Sequence, residues 1–121
     1  MVRLKMPGNL FLHWEQNMAY KLVVTDEGEE RIDEQLQYIL FELENENAAK
    51  HYLDCIEKIY ENIEDNPYIY EQSKDKLLSM MGYHEATFSD MNYKLIYRIE
   101  EDTIFVMGVF NDLQDHVKKL L

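Results

Sequence analysis

The stretch Ile104-Phe105-Val106-Met107-Gly108-Val109-Phe110 is almost unbroken in its apolar character. Such a run, rich in β-branched and aromatic residues, suits a central strand covered on both faces. Just before it, Asn92 to Ile99 alternates, with Tyr93, Leu95, Tyr97 and Ile99 on one face and Lys94, Ile96 and Arg98 on the other. Glu100-Glu101-Asp102 makes a tight polar turn between the two. Two further stretches read as β: Tyr20-Lys21-Leu22-Val23-Val24-Thr25, a first strand, and the less regular Leu77 to Phe88, which contains Gly82.

Between these lie two stretches with helical periodicity. Ile32, Leu36, Ile39, Leu40 and Leu43 fall on one helix face. Asp26 with Glu29 has the spacing of a capping box, and acids crowd this first turn, where the helix dipole favours them. The polar stretch Glu44-Asn45-Glu46-Asn47 ends the pattern, and Asn47 is the expected cap of the next helix. That helix carries Ala49, Tyr52, Leu53, Ile56, Ile59, Tyr60 and Ile63 and stops at Asn66-Pro67, since the residue before proline is pushed out of helical geometry. So short a connection makes the helices antiparallel. Their outer faces are expected to carry Glu34, Glu42, Glu57, Glu61 and Glu64. Residues 68–75 read as a loop, and a short helix from Asp112 to Leu120 closes the chain. The expected class is α+β: β-α-α-β-β-β with a short C-terminal helix, a helical hairpin packed on a mostly antiparallel sheet.

The charge is uneven. Of the net −12, residues 26–65 hold 14 acids against Arg31, Lys50 and Lys58, whereas residues 1–25 are net basic. The acidity therefore belongs to the hairpin, and it argues against direct nucleic-acid binding. No apolar run approaches the roughly 20 residues of a membrane-spanning helix. One cysteine, Cys55, excludes an internal disulfide and fits a cytoplasmic protein; the sequence around it offers no evident histidine partner, so it reads as a bystander thiol. His51 and His116 lack metal-ligand spacing, and the four glycines are scattered, so neither a metal nor a phosphate-binding cofactor is expected.

Residues 1–17 read unlike the rest and are set apart from a domain spanning 18–121. They hold Pro7-Gly8, Leu10-Phe11-Leu12 and Trp14, with too short an apolar stretch for a signal peptide. The codons of Trp14-Glu15 spell a purine run like a bacterial ribosome-binding site, spaced by Gln16 and Asn17 from Met18. Two readings stand: a leader or scar ahead of a start at Met18, or an arm that packs Phe11 and Trp14 on the domain.

The order of elements, together with Asn47-Ala48-Ala49, Asn66-Pro67, Gly82-Tyr83, Asn92-Tyr93-Lys94-Leu95-Ile96-Tyr97-Arg98-Ile99, the acidic turn, the apolar run and Asn111-Asp112-Leu113-Gln114-Asp115, resembles the RelE/ParE toxin–antitoxin superfamily over about residues 19–121. The resemblance implies a growth-inhibiting toxin, of the plasmid-stabilisation kind, silenced by a cognate antitoxin. It implies one of two attacks: cleavage of messenger RNA on the ribosome, or poisoning of DNA gyrase by protein contact. Metal-free RNA cleavage needs a base, an acid and cations for the phosphorane charge. The family's cutting branch places arginines after the glycine-aromatic motif and in the next strand, with a histidine or arginine near the end of the last strand. Here those positions hold His84, Lys94 and Asn111-Asp112, and Arg98 follows in the same strand. Lysine lacks the bidentate fork of arginine, so the gyrase-type, non-cleaving reading is preferred; a ribonuclease using His84, Lys94 and Arg98, or a non-toxic partner-binding relative, are the alternatives. Met80, Met81, Tyr83 and Tyr97 are the residues expected to meet a partner.

Overall fold

The computed structural model of the protein describes residues 2–3, 20–111 and 120. In chain order they form β1 (Val2–Arg3), β2 (Lys21–Val24), α1 (Asp26–Gln37) running into a π-helical turn (Tyr38–Glu42), α2 (Glu46–Asp65), a short α3 (Lys76–Met80), β3 (Tyr83–Thr87), β4 (Tyr93–Glu100) and β5 (Thr103–Asn111). The five strands make one sheet in the order β1-β2-β5-β4-β3. Only β2 and β5 are parallel; the other pairs are antiparallel. The α+β architecture with a helical hairpin on a mostly antiparallel sheet is thus observed. The expected closing helix falls, apart from Leu120, outside the described residues, as do Phe11, Trp14 and Met18.

The apolar run occupies the position its composition demands, between β2 and β4. One face of the sheet packs Leu22, Leu95, Tyr97, Ile104, Val106 and Val109 against Ile39, Tyr52, Ile56, Ile59 and Ile63 of the hairpin. The opposite face holds a smaller core of Tyr83, Ile96 and Phe110 with Leu78 of α3, joined by Met107 and Leu120. Two cores explain why β5 cannot alternate.

A bulge fits the run to both cores. Ile96 pairs with Gly108 but Tyr97 pairs with Val106, which leaves Met107 as the extra residue. Gly108 adopts φ 137, a conformation L side chains rarely take. The Met107 carbonyl accepts a hydrogen bond from Arg31 Nη1 at 2.9 Å, and the same guanidinium lies 5.2 Å from the Phe110 ring centroid. A Cβ on Gly108 would meet the Arg31 side chain at 2.9 Å. Without the extra residue, Val109 and Phe110 would exchange faces.

The helix ends differ from the sequence reading by a residue or two. Thr25, not Asp26, caps α1, its hydroxyl accepting from the Gly28 N–H at 2.9 Å. Asn45, not Asn47, caps α2 through the Ala48 N–H. Leu77–Met80, expected to be β-like, is instead helical, because Asp75 accepts from the Leu78 N–H and starts a turn. Glu64, expected on the solvent face, is 8% exposed.

The largest departure lies at the hairpin tip. The Leu43 N–H donates to the Tyr38 carbonyl, five residues back, at 3.1 Å. This wider turn rotates the chain past Tyr38 relative to a regular helix. Ile39 stays buried, but Leu43, expected on the core stripe, is 53% exposed and Phe41 is 69% exposed.

Candidate functional site

The residues singled out for chemistry lie on β3 and β4, whose register fixes which side of the sheet each one faces. His84 pairs with Tyr97, Thr87 with Lys94 and Tyr83 with Arg98. Directly paired residues share a face and neighbours along a strand alternate. His84 therefore faces the hairpin side, and Lys94 and Arg98 face the other.

On the hairpin side, His84 is buried rather than on the surface as a strand histidine would be. Its Nδ1 donates to the Tyr70 carbonyl at 2.9 Å, since a carbonyl only accepts. Its ring stacks on Tyr97 at 5.3 Å between centroids, and Tyr68 meets it edge-on. Tyr97 is fully buried, and its hydroxyl donates to the Pro67 carbonyl at 2.6 Å. Burial pushes the Tyr97 phenol well above its ordinary range. Together these two side chains fasten the loop after α2 to the sheet.

That loop then runs along β3. Gln72 bridges to His84, with the Ser73 N–H donating to the Tyr83 carbonyl and the Glu85 N–H donating to the Glu71 carbonyl. Much of the outer edge of β3 is thereby closed to other chains.

The opposite face holds a polar cleft of about 470 Å³ lined by Glu71, Gln72, Lys74, Glu85, Thr87 and Lys94. Lys94 Nζ lies 3.4 Å from Glu85 Oε1, while Glu85 Oε2 accepts from the Ser73 hydroxyl. Arg98 is four residues further along β4, about 13 Å by strand rise. It leans away from Lys94, with Nη1 3.2 Å from Glu100 and its guanidinium over the Phe105 ring. The three candidates for RNA cleavage are thus not brought together: a sheet separates the imidazole from the two cations, and each cation is engaged by an acid.

Of the residues expected to meet a partner, Met80 at the end of α3 and Met81 just after it are exposed, as is Leu77. Tyr83 and Tyr97 are corrected to core residues, one in each of the two cores. Their alternation on strands drove them inward, which the pairing register reveals and the sequence alone does not.

Two features escaped the sequence reading. Cys55 does have a histidine neighbour: His51, one helical turn earlier, places Nε2 3.6 Å from Sγ. The i, i+4 spacing would have found it. The His51 Nε2–H is given to the Ser89 carbonyl at 2.8 Å, so that nitrogen holds a proton rather than taking one from the thiol. The other feature is an apolar groove of about 250 Å³ between α1 and α2, formed by Val24, Ile32, Leu36, Leu53, Ile56 and Tyr60, with Glu29 and Asp33 also lining it. Leu53 was expected in the core and is 47% exposed.

No helix among the described residues is long and apolar enough to cross a membrane. The family model described as the ParE toxin of the type II toxin–antitoxin system parDE matches residues 22–116, from β2 through and beyond β5. Among curated proteins, none matches the chain. With the matched region spanning the helical hairpin and all four of the strands that follow residue 20, the chain belongs to the ParE toxin family of type II toxin–antitoxin systems.

Proposed function

We propose that this toxin stops growth by protein–protein contact with DNA gyrase in the cytoplasm, and that a cognate antitoxin neutralises it. The observation that carries the reading is the placement of His84 on one side of the sheet and of Lys94 and Arg98 on the other. A base and the cations it must work with have to reach one phosphate, and this arrangement does not serve that.

The antitoxin contact is assigned to the hairpin groove. An apolar trough with Glu29 and Asp33 at its margin suits an amphipathic segment with basic residues flanking its apolar stripe. Met80 and Met81 offer a second, adaptable contact surface.

Expression without the antitoxin is expected to arrest growth and induce DNA-damage signalling, and the purified full chain to block gyrase supercoiling. Lys94→Ala and Arg98→Ala are expected to leave both effects within about twofold in folded protein, since both residues lie on β4 and not on the hairpin. Codon-linked cuts in messenger RNA that vanish in those variants would replace this reading with ribosome-dependent cleavage. Normal growth on expression would leave a partner-binding relative without toxicity.

A further inference from the structure

We infer that the tip of the helical hairpin, Tyr38, Phe41 and Leu43, is the surface that docks on the target, and that it takes a basic, DNA-gripping face of that enzyme. The inference rests on the protein-contact reading above and deepens it by naming the contact surface.

Tyr38 is 48% exposed, Phe41 69% and Leu43 53%. A regular α-helix would have carried Leu43 onto the buried stripe with Ile32, Leu36 and Ile39. The π-helical turn withholds it and leaves Phe41 wholly outside the core cluster. Neither Phe41 nor Leu43 belongs to either core cluster. Single-turn π insertions recur at functional sites, and exposed aromatic side chains are the usual anchors of protein interfaces.

The surroundings select the occupant. Residues 32–49 contain five acids, Asp33, Glu34, Glu42, Glu44 and Glu46, and no base. Residues 41–47 are all exposed, so Glu42, Glu44 and Glu46 share the solvent-facing tip with Phe41 and Leu43. An apolar tip among these acids complements a positively charged surface with an apolar recess. Enzymes that hold DNA present such surfaces to its phosphates. A second copy of this chain would meet like charge with like charge. The exposed patch on α3 lies beside Lys74 and Lys76 and lacks that density of acids. The antitoxin groove reaches along α1 as far as Leu36, five residues and about 7 Å before Phe41, and includes none of Tyr38, Phe41 and Leu43; the two surfaces are neighbours, not one site.

The test measures inhibition of supercoiling by purified DNA gyrase holoenzyme, with the full-length toxin and with Tyr38→Ser/Phe41→Ser, each at low and high salt. The double variant is expected to require at least about tenfold more protein for the same inhibition, with an unchanged far-UV spectrum. Glu42→Gln/Glu46→Gln is expected to weaken inhibition at low salt and flatten its salt dependence. Glu57→Gln/Glu61→Gln removes the same charge from the middle of α2 and is expected to stay within about twofold. Wild-type potency in both tip variants, with the unaltered toxin inhibitory, would overturn the inference and spare the functional reading. An unaltered toxin without effect on gyrase would overturn both. Should the serine variant lose its helical spectrum, the glutamine pair alone decides.

Discussion

At the residue scale, Tyr97 joins the sheet to the loop after α2 by a hydroxyl buried among apolar groups. Its raised pKa has a consequence for stability. Above pH 10, the ordinary value for the phenol, the unfolded chain releases this proton and the folded protein keeps it. Folding stability is therefore intact below pH 10 and falls above it, by about 1.4 kcal/mol per pH unit for each such tyrosine. Tyr52, whose phenol is pushed up mainly by burial and donates to the Ile32 carbonyl, behaves in the same way. Tyr97→Phe is expected to lose about 1–2 kcal/mol at neutral pH through the unmet Pro67 carbonyl and to show a slope above pH 10 shallower by about 1.4 kcal/mol per unit. Urea midpoints between pH 8 and pH 11 would measure both; identical slopes would show that the phenol ionises in the native state. Much at this scale was hidden from the sequence. That His84 and Lys94 face opposite ways depends on cross-strand register, and that depends on where the loop lets β3 begin.

At the scale of elements, the packing of α1 on β5 hangs on a residue with no side chain. Gly28 sits at the third position of α1, and a Cβ there would come within 2.6 Å of the Val106 carbonyl oxygen and 2.9 Å of the Thr25 hydroxyl. Both of those oxygens are already held, the first by the Thr25 N–H and the second by the Gly28 N–H. Gly28→Ala is therefore expected to destabilise the protein by about 1–3 kcal/mol through overpacking, despite alanine's better helix propensity. Thermal unfolding of the variant checks this, and an unchanged or higher midpoint would mean that α1 can shift outward without loss. Strands β2, β4 and β5 and both long helices were legible because period-two and period-3.6 patterns follow directly from which side chains are buried, whereas β1, two residues in the stretch set apart from the domain, carried no such pattern. Their ends were less so. Capping by Thr25 and Asn45 turns on single hydrogen bonds, and several neighbouring polar residues could each have made one. The π turn and the β5 bulge were not legible, since each inserts one residue into an otherwise regular pattern, and only Gly108 hinted at the second.

At the scale of the whole molecule, the acidic hairpin sets how the protein responds to salt. Fourteen acids against three bases on residues 26–65 repel one another in the folded state at closer range than in the unfolded chain. Added salt shortens that repulsion to within a few ångströms. Raising sodium chloride from about 0.05 to 0.5 M is expected to stabilise the fold by about 1 kcal/mol, roughly 4 °C in Tm for a chain of this size. A calorimetric scan at both concentrations measures it; a fall in Tm would mean that ion pairs such as Lys94–Glu85 outweigh the repulsion.

The parallel pairing of β2 with β5 joins residues 21–24 to 103–106, with Thr25 Oγ1 reaching the Val106 carbonyl across 81 positions. During translation the first of these strands must wait, its inner edge unfilled, until residues 103–106 have emerged from the ribosome. A polypeptide halted anywhere before codon 103 lacks the middle of its sheet. Until β5 arrives the core face of the hairpin also lacks part of its cover, so the newborn chain exposes apolar side chains that the finished sheet conceals.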